Sequence, residues 1–230
     1  IPFVLLPILT RSLGPESYGK IAMFQVLITG LAAFVGLGVT GSYQRKFFDH
    51  DHKRSDLALF LGSCIQILAC SSFLVAIVIL LMKHYLVPLV GLDIEWILIA
   101  IGVIFFNTLV NLRLTHWLVN GHAKKYGLVQ FVQALLNMLL SISFVVFFLY
   151  GFEGRLSAQI IAPACIAIFC IASFKRERLV KIYTWRRDYL VEILKFGVPL
   201  IPHTFGAFLI ASADRFFINE NLGLKEVGIY

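Results

Sequence analysis

The sequence predicts an all-α, polytopic transmembrane helix bundle, and three observations carry that reading. Charged residues make up only 14% of the 230-residue chain, against roughly a quarter in soluble domains. Mean hydropathy is +0.86. The apolar residues are gathered into charge-free runs at 21–44, 57–82, 126–152, 156–174 and 196–213, and a sixth at 96–123 is broken only by Arg113. About 20 helical residues cross a hydrocarbon core of ~30 Å, and a segment in lipid must satisfy its own backbone hydrogen bonds. Each run is therefore read as a spanning helix. The apolar opening Ile1-Pro2-Phe3-Val4-Leu5-Leu6-Pro7 reads as the end of a further span, since it lacks the basic leader and small-residue cleavage site of a secretory signal. Seven crossings follow, in a chain expected to be part of a longer one.

Charge sets the expected orientation. Thirteen of the 20 Lys and Arg fall in alternate loops, at 45–54, 124–125 and 175–195, whereas the intervening loops hold five and Arg113 and Arg215 lie inside spans. By the positive-inside rule the rich loops are cytoplasmic. A net charge of +7 distributed in this way points to a membrane surface and away from nucleic acid. The basic stretch 175–195, interleaved with Tyr183, Trp185 and Tyr189, is expected to lie against the headgroups of the inner leaflet. Cys64, Cys70, Cys165 and Cys170 all fall inside spans without C-x-x-C spacing, so they read as small packing residues and not as metal ligands.

A short repeat organises the chain. Leu13-Gly14-Pro15-Glu16-Ser17-Tyr18-Gly19 and Leu222-Gly223-Leu224-Lys225-Glu226-Val227-Gly228 both fit L-G-x-x-x-x-G, at an offset of 209 residues. Each copy directly follows a span that opens a six-helix block. An even number of spans keeps the second block in the orientation of the first, a parallel repeat of the kind secondary transporters use. The expected organisation is a six-helix lobe over residues 1–190 and the first helix of a second lobe over 191–230, together part of a transporter of roughly twelve helices.

The segment Pro7-Ile8-Leu9-Thr10-Arg11-Ser12-Leu13-Gly14-Pro15-Glu16-Ser17-Tyr18-Gly19 resembles the opening of bacterial polysaccharide-biosynthesis flippases of the Wzx type. The glycine-led stretch from Gly36 to Arg45 is similar to the end of that family's second helix. Lys195 to Pro202, Ser212 to Ile218 and Leu222 to Tyr230 resemble its seventh. The likeness is specific at both ends and, over about 50–190, lies in span layout alone. It implies two six-helix lobes around a central cavity, as in the multidrug/oligosaccharidyl-lipid/polysaccharide exporter superfamily. It further implies a bacterial cytoplasmic (inner) membrane location and an undecaprenyl-pyrophosphate-linked oligosaccharide as cargo. Membrane lipids, H+ or Na+, and polysaccharide polymerase or chain-length machinery are the implied partners, with no cofactor. A multidrug/cation antiporter or a peptidoglycan-precursor flippase on the same fold is the alternative. A glycan polymerase is disfavoured, because the longest outer loop (83–95) is short.

A carrier makes no covalent change, and no P-loop, G-x-S-x-G or H-E-x-x-H motif is present. Candidate residues are therefore polar groups that lipid would otherwise exclude. Asp214 and Arg215, adjacent in the seventh span, point about 100° apart on a helix. Either they anchor the helix end, or one faces the cavity, with Asp214 as a proton or cation site. Arg113 shares a face with His116 and lies near Asn107 and Asn111. Its fork suits pyrophosphate oxygens, or else it snorkels to the interface. Arg45 draws its claim from the resemblance. Gln25 and Gln66 are further polar residues within spans, and Gln130, Gln133 and Asn137 lie on one helix face. These side chains either hydrogen-bond to a neighbouring helix or line a polar cavity. Pro199 and Pro202, followed by His203, are expected to bend or initiate the seventh span.

Overall fold

A computed structural model describes residues 12–49, 54–181 and 184–230, and every regular element among them is helical. Helix α1 (Pro15–Leu31) starts with proline at its first position, where the missing N–H costs nothing. It does not continue through the charge-free run 21–44. The chain breaks and resumes as α2 (Val39–Phe48), which corrects the expectation of one uninterrupted span. The reason is local: Gly36, Leu37 and Gly38 have φ of +83°, +47° and +66°, and a right-handed helix cannot pass through three left-handed residues. The freed Gly36 N–H donates to Ser71 Oγ at 2.9 Å. The broken backbone is thus satisfied within the protein, as the bilayer interior requires.

The remaining elements are α3 (Arg54–Leu81), α4 (Lys83–Val90), α5 (Ile94–Val119), α6 (Ala123–Ile142), α7 (Gly151–Arg176), α8 (Arg187–Gly197), α9 (Ile201–Leu222) and α10 (Leu224–Ile229). A π-helical turn, Ser143–Phe147, extends α6, and a 3-10 turn, Val198–Leu200, joins α8 to α9. Five stretches among the described residues are long and apolar enough to cross a membrane: Asp56–Leu81, Ile94–Val119, Ala123–Phe147, Gly151–Arg176 and Arg187–Leu222. Of the seven crossings read from the sequence, five recur here. The second is the broken pair α1–α2, and the first falls on residues 1–11, outside the described residues. The expected outer loop 83–95 contains a helix, α4, ended by Gly91 in the left-handed region. Within the basic stretch 175–195, α8 is amphipathic. It buries Leu190, Ile193 and Gly197 and exposes Arg187, Asp188 and Glu192.

Helices α5 and α7 pack along each other at the centre. Leu156, Ala158, Ala162, Ala167 and Cys170 of α7 and Ile97, Ala100 and Leu112 of α5 are all completely buried. Small residues on one helix let the two backbones approach, the main source of helix association where lipid is as apolar as leucine. The outward surface is the reverse of a soluble protein's: Phe73, Leu74, Leu81, Phe131, Ile168 and Ile210 are exposed along successive helices. Cys64 and Cys170 fill the interior as expected, whereas Cys70 and Cys165 face outward.

At one end of the bundle the two L-G-x-x-x-x-G copies touch. A Cβ on Gly19 would collide with the Leu224 carbonyl oxygen, and a Cβ on Gly228 would collide with the Pro15 carbonyl oxygen. Pro15 and Leu224 hold the same position in their copies, as do Gly19 and Gly228. The contact is therefore reciprocal, the signature of a local two-fold. It is made backbone to backbone, and only glycine permits it. Beside it, Asn219 Nδ2 donates to the Leu89 carbonyl of α4 at 2.8 Å.

Candidate functional site

Three polar groupings stand out in the bundle, and the structure sorts the sequence-predicted residues among them. The first surrounds Arg113 near the end of α5 opposite the repeat contact. Arg113 is fully buried and does not snorkel. Its Nη2 donates to Ser173 Oγ at 2.7 Å and to Glu177 Oε1. Its guanidinium lies over the rings of Trp117, 4.4 Å to the centroid, and Phe174, 4.8 Å. Its Nε and Nη1 are buried without a hydrogen-bond partner. His116 does share this end of the helix, but its Nδ1 pairs with Tyr43 Oη at 2.7 Å, tying α5 to α2. Glu177 went unremarked in the sequence reading because it sits in a basic loop. Only the turn that ends α7 brings it back to Arg113.

Partial burial pushes the Glu177 carboxyl up. The hydrogen bond and charge of Arg113, helped by His116 and Lys125, outweigh that and hold it below its ordinary value. A depressed folded pKa means the pair contributes its full stability above the ordinary carboxylate range. That contribution is lost as pH falls through the lowered value. Thermal midpoints of the full-length protein in detergent, taken from about pH 6 down to about pH 3, should fall further for wild type than for Glu177→Gln. Parallel curves would count against the pair.

The second grouping lies between α6 and its neighbours. Gln133 Nε2 donates to Asn107 Oδ1 of α5 at 2.9 Å. Asn137 Oδ1 accepts from Arg155 Nη1 at 2.7 Å, and the same nitrogen reaches Ser141 Oγ at 2.6 Å. Gln133 and Asn137 thus both hydrogen-bond to a neighbouring helix. Gln130 instead bonds Tyr126 on its own helix. Arg155, one of the five cations of the intervening loops, is half-buried, and no carboxylate among the described residues pairs with it. The signal was present: Arg155 lies in the first turns of α7, just after Leu149 and Gly151, whose positive φ reverses the chain back onto α6.

The third grouping is the helix break and what faces it. Gly197, at the end of α8, packs so closely on Leu37 that a Cβ would strike the Leu37 carbonyl oxygen. Next to it the exposed Arg45 sits over the Phe196 ring, 5.8 Å to the centroid, and Lys46 bridges to Glu192 of α8 at 3.0 Å. Discontinuous helices in membrane proteins are where backbone groups become available to a ligand. The Gly36-x-Gly38 spacing was the sequence signal for this break. Pro199 lies in the 3-10 turn that joins α8 to α9 and Pro202 in the first turn of α9, so the prolines sit where the helix geometry changes within the stretch Arg187–Leu222.

Asp214, Arg215 and Asn111 join none of these groupings. Asp214 is exposed on α9, accepts from the Arg215 backbone N–H at 2.8 Å, and has the Tyr230 hydroxyl within hydrogen-bonding reach. Asn111 is exposed on α5. No group of three or more metal-ligating side chains occurs among the described residues.

With that geometry in place, likeness to known proteins is informative. The chain is 24% identical over its whole length to "Lsg locus putative protein 1" of Haemophilus influenzae, of which it covers 55%. An uncharacterized membrane protein of the same organism is 26% identical and is covered to 54%. The chain therefore spans about half the length of the curated relatives it matches. Its fold superimposes with a TM-score of 0.68 on a MATE solved in complex with Br-NRF, at 22% identity over 94% of this chain and 52% of that one. It does so equally, with a TM-score of 0.68 at 21% identity, on an inward-facing multidrug resistance MATE transporter of the MOP superfamily, covering 96% of this chain and 54% of that one. The polysaccharide biosynthesis protein family model matches residues 1–230. A multi-pass helical bundle with a MATE-like fold, matched from end to end by that model, this chain belongs to the polysaccharide biosynthesis protein family.

Proposed function

We propose that the full-length protein is a flippase that carries an undecaprenyl-pyrophosphate-linked oligosaccharide across the bacterial cytoplasmic membrane by alternating access. In this reading residues 1–190 form one lobe and residues 191–230 open the second. The observation that carries it is the reciprocal contact of Gly19 and Gly228. Two copies of one motif, each following the first span of a six-span block, meet around a local two-fold, as parallel repeats of a carrier do. The positive-inside count puts this contact on the outer face. There it acts as a seam, closed while the cargo site faces the cytoplasm.

The polar residues divide by role within this proposal. Arg45, beside the helix break at the basic end, is the first station for the pyrophosphate, which its planar fork suits. Asn111, exposed, and Arg215, half-buried, are available to the sugar and phosphate, and Asp214 is the coupling site for H+ or Na+. Arg113, Gln133 and Asn137 are positioning residues that hold the lobe together. The test is export in cells lacking the gene and carrying a plasmid copy of the full-length protein. Wild type should restore lipid-linked sugar at the outer face, and Arg45→Ala and Asp214→Asn should each lower it about ten-fold. Normal outer-face sugar in the deletion strain refutes the flippase reading. Ion-coupled drug efflux from proteoliposomes, with sugar export untouched, would establish the antiporter alternative instead.

A further inference from the structure

A cavity of about 320 Å³ opens between α2, α3, α5, α6 and the end of α7, at the end of the bundle opposite the repeat contact. Its polar wall consists of Tyr43, His116, Asn120, His122, Lys125 and Glu177. Leu57, Ala58 and Trp117 supply apolar wall. This volume is at the lower end of the range for small-ligand sites, which combine apolar lining with a few convergent polar groups.

The electrostatics favour an anion. Glu177 is the only carboxylate among the residues lining the cavity, and its charge is already offset by Arg113. Arg113 stands one side chain behind the wall, stacked on Trp117, with two buried nitrogens that no described group satisfies. Lys125 has no carboxylate partner among the described residues. Tyr43 and His116 already share a hydrogen bond and Asn120 donates to the His116 carbonyl, so His122, beside Lys125, is the further group able to donate to a ligand. The cavity also sits at the termini of helices long and apolar enough to span a membrane, and basic pockets between the ends of such helices take the phosphate of anionic lipids.

From this we infer that the cavity between α2, α3, α5, α6 and α7 binds a phosphate ester, with Lys125 and His122 as its principal ligands. The site lies within one helical block, so it is separate from any cargo cavity formed between lobes. The phosphate could come from a phospholipid headgroup or from a soluble phosphate ester, and the experiment distinguishes the two.

The full-length protein is placed in phosphatidylcholine nanodiscs, with or without phosphatidylglycerol, and retained lipid is counted by native mass spectrometry. Thermal midpoints are followed in parallel in plain phosphatidylcholine with glycerol phosphate added. The expected result is retention of bound phosphatidylglycerol by wild type, weakened about five-fold in Lys125→Gln and further in Lys125→Gln with His122→Gln. Lys83→Gln, at the opposite end, should behave as wild type. Stabilisation by glycerol phosphate that disappears in Lys125→Gln would support the same site with a soluble ester as occupant. Equal lipid retention and equal glycerol phosphate response in wild type and both glutamine variants overturns the proposal. Both substitutions are on exposed side chains, so folded protein is expected throughout. Because the readout is binding and not export, its failure leaves the flippase reading untouched, and the reverse also holds.

Discussion

Gly19→Val, and equally Gly228→Val, is expected to cut cargo export by the full-length protein about ten-fold or more while the protein still inserts at normal abundance. In either position the added carbon meets a backbone carbonyl, Leu224 in one case and Pro15 in the other. A side chain can rotate away from a new methyl, but a helical carbonyl cannot without moving its helix. Overpacking of this kind costs roughly 1–3 kcal/mol. Applied to one state of a two-state carrier, that shifts the closed-to-open ratio by about 5- to 150-fold. The strain falls only on the closed seam, so folding of the separated halves is spared. Because the two glycines touch, Gly19→Ala and Gly228→Ala should combine non-additively. Gly127→Ala on α6, with nothing within 4 Å of the new carbon, is the matched control and should be silent or slightly stabilising. Outer-face sugar and membrane abundance measured together decide it. Full export by Gly19→Val would remove the seam.

The second large effect is an asymmetry between two partners in one ion pair. Glu177→Ala should lower the thermal stability of the full-length protein more than Arg113→Met does. Removing the carboxylate leaves a completely buried guanidinium uncompensated, with two of its nitrogens already unsatisfied. Breaking a buried pair in this way costs up to about 3–5 kcal/mol. The partly solvated position of Glu177 brings the expectation to about 2 kcal/mol. Replacing the arginine by methionine removes the charge, keeps apolar volume between Trp117 and Phe174, and leaves Glu177 facing water, where a carboxylate is stable. A melting series on the two single variants reads the difference directly. Equal losses would mean that volume, not charge, dominates the site.

Residue chemistry and spacing were enough to read the membrane-spanning class, the order of spans and the paired glycine motifs. Lipid imposes one secondary structure on a long apolar run, and a repeated motif needs no coordinates to be seen. What the runs could not reveal is where a helix stops inside the bilayer. The segment 21–44 carries no charge to mark an end. Its break depends on Ser71, 35 residues away, accepting the Gly36 N–H, and on Gly197 leaving room for Leu37.

Site roles followed the same division. The sequence by itself marked most of the polar groups within membrane-spanning segments, because exclusion from lipid is a property of the side chain alone; Arg155, at the start of α7, is the exception. Only the tertiary structure decided what each one meets. Arg113 is enclosed by Ser173, Phe174 and Glu177, Asn137 is bound to Arg155, and Gly19 lies against the backbone of a residue about two hundred positions along the chain. Those partners are chosen by helix rotation and close packing, and neither is encoded in local spacing.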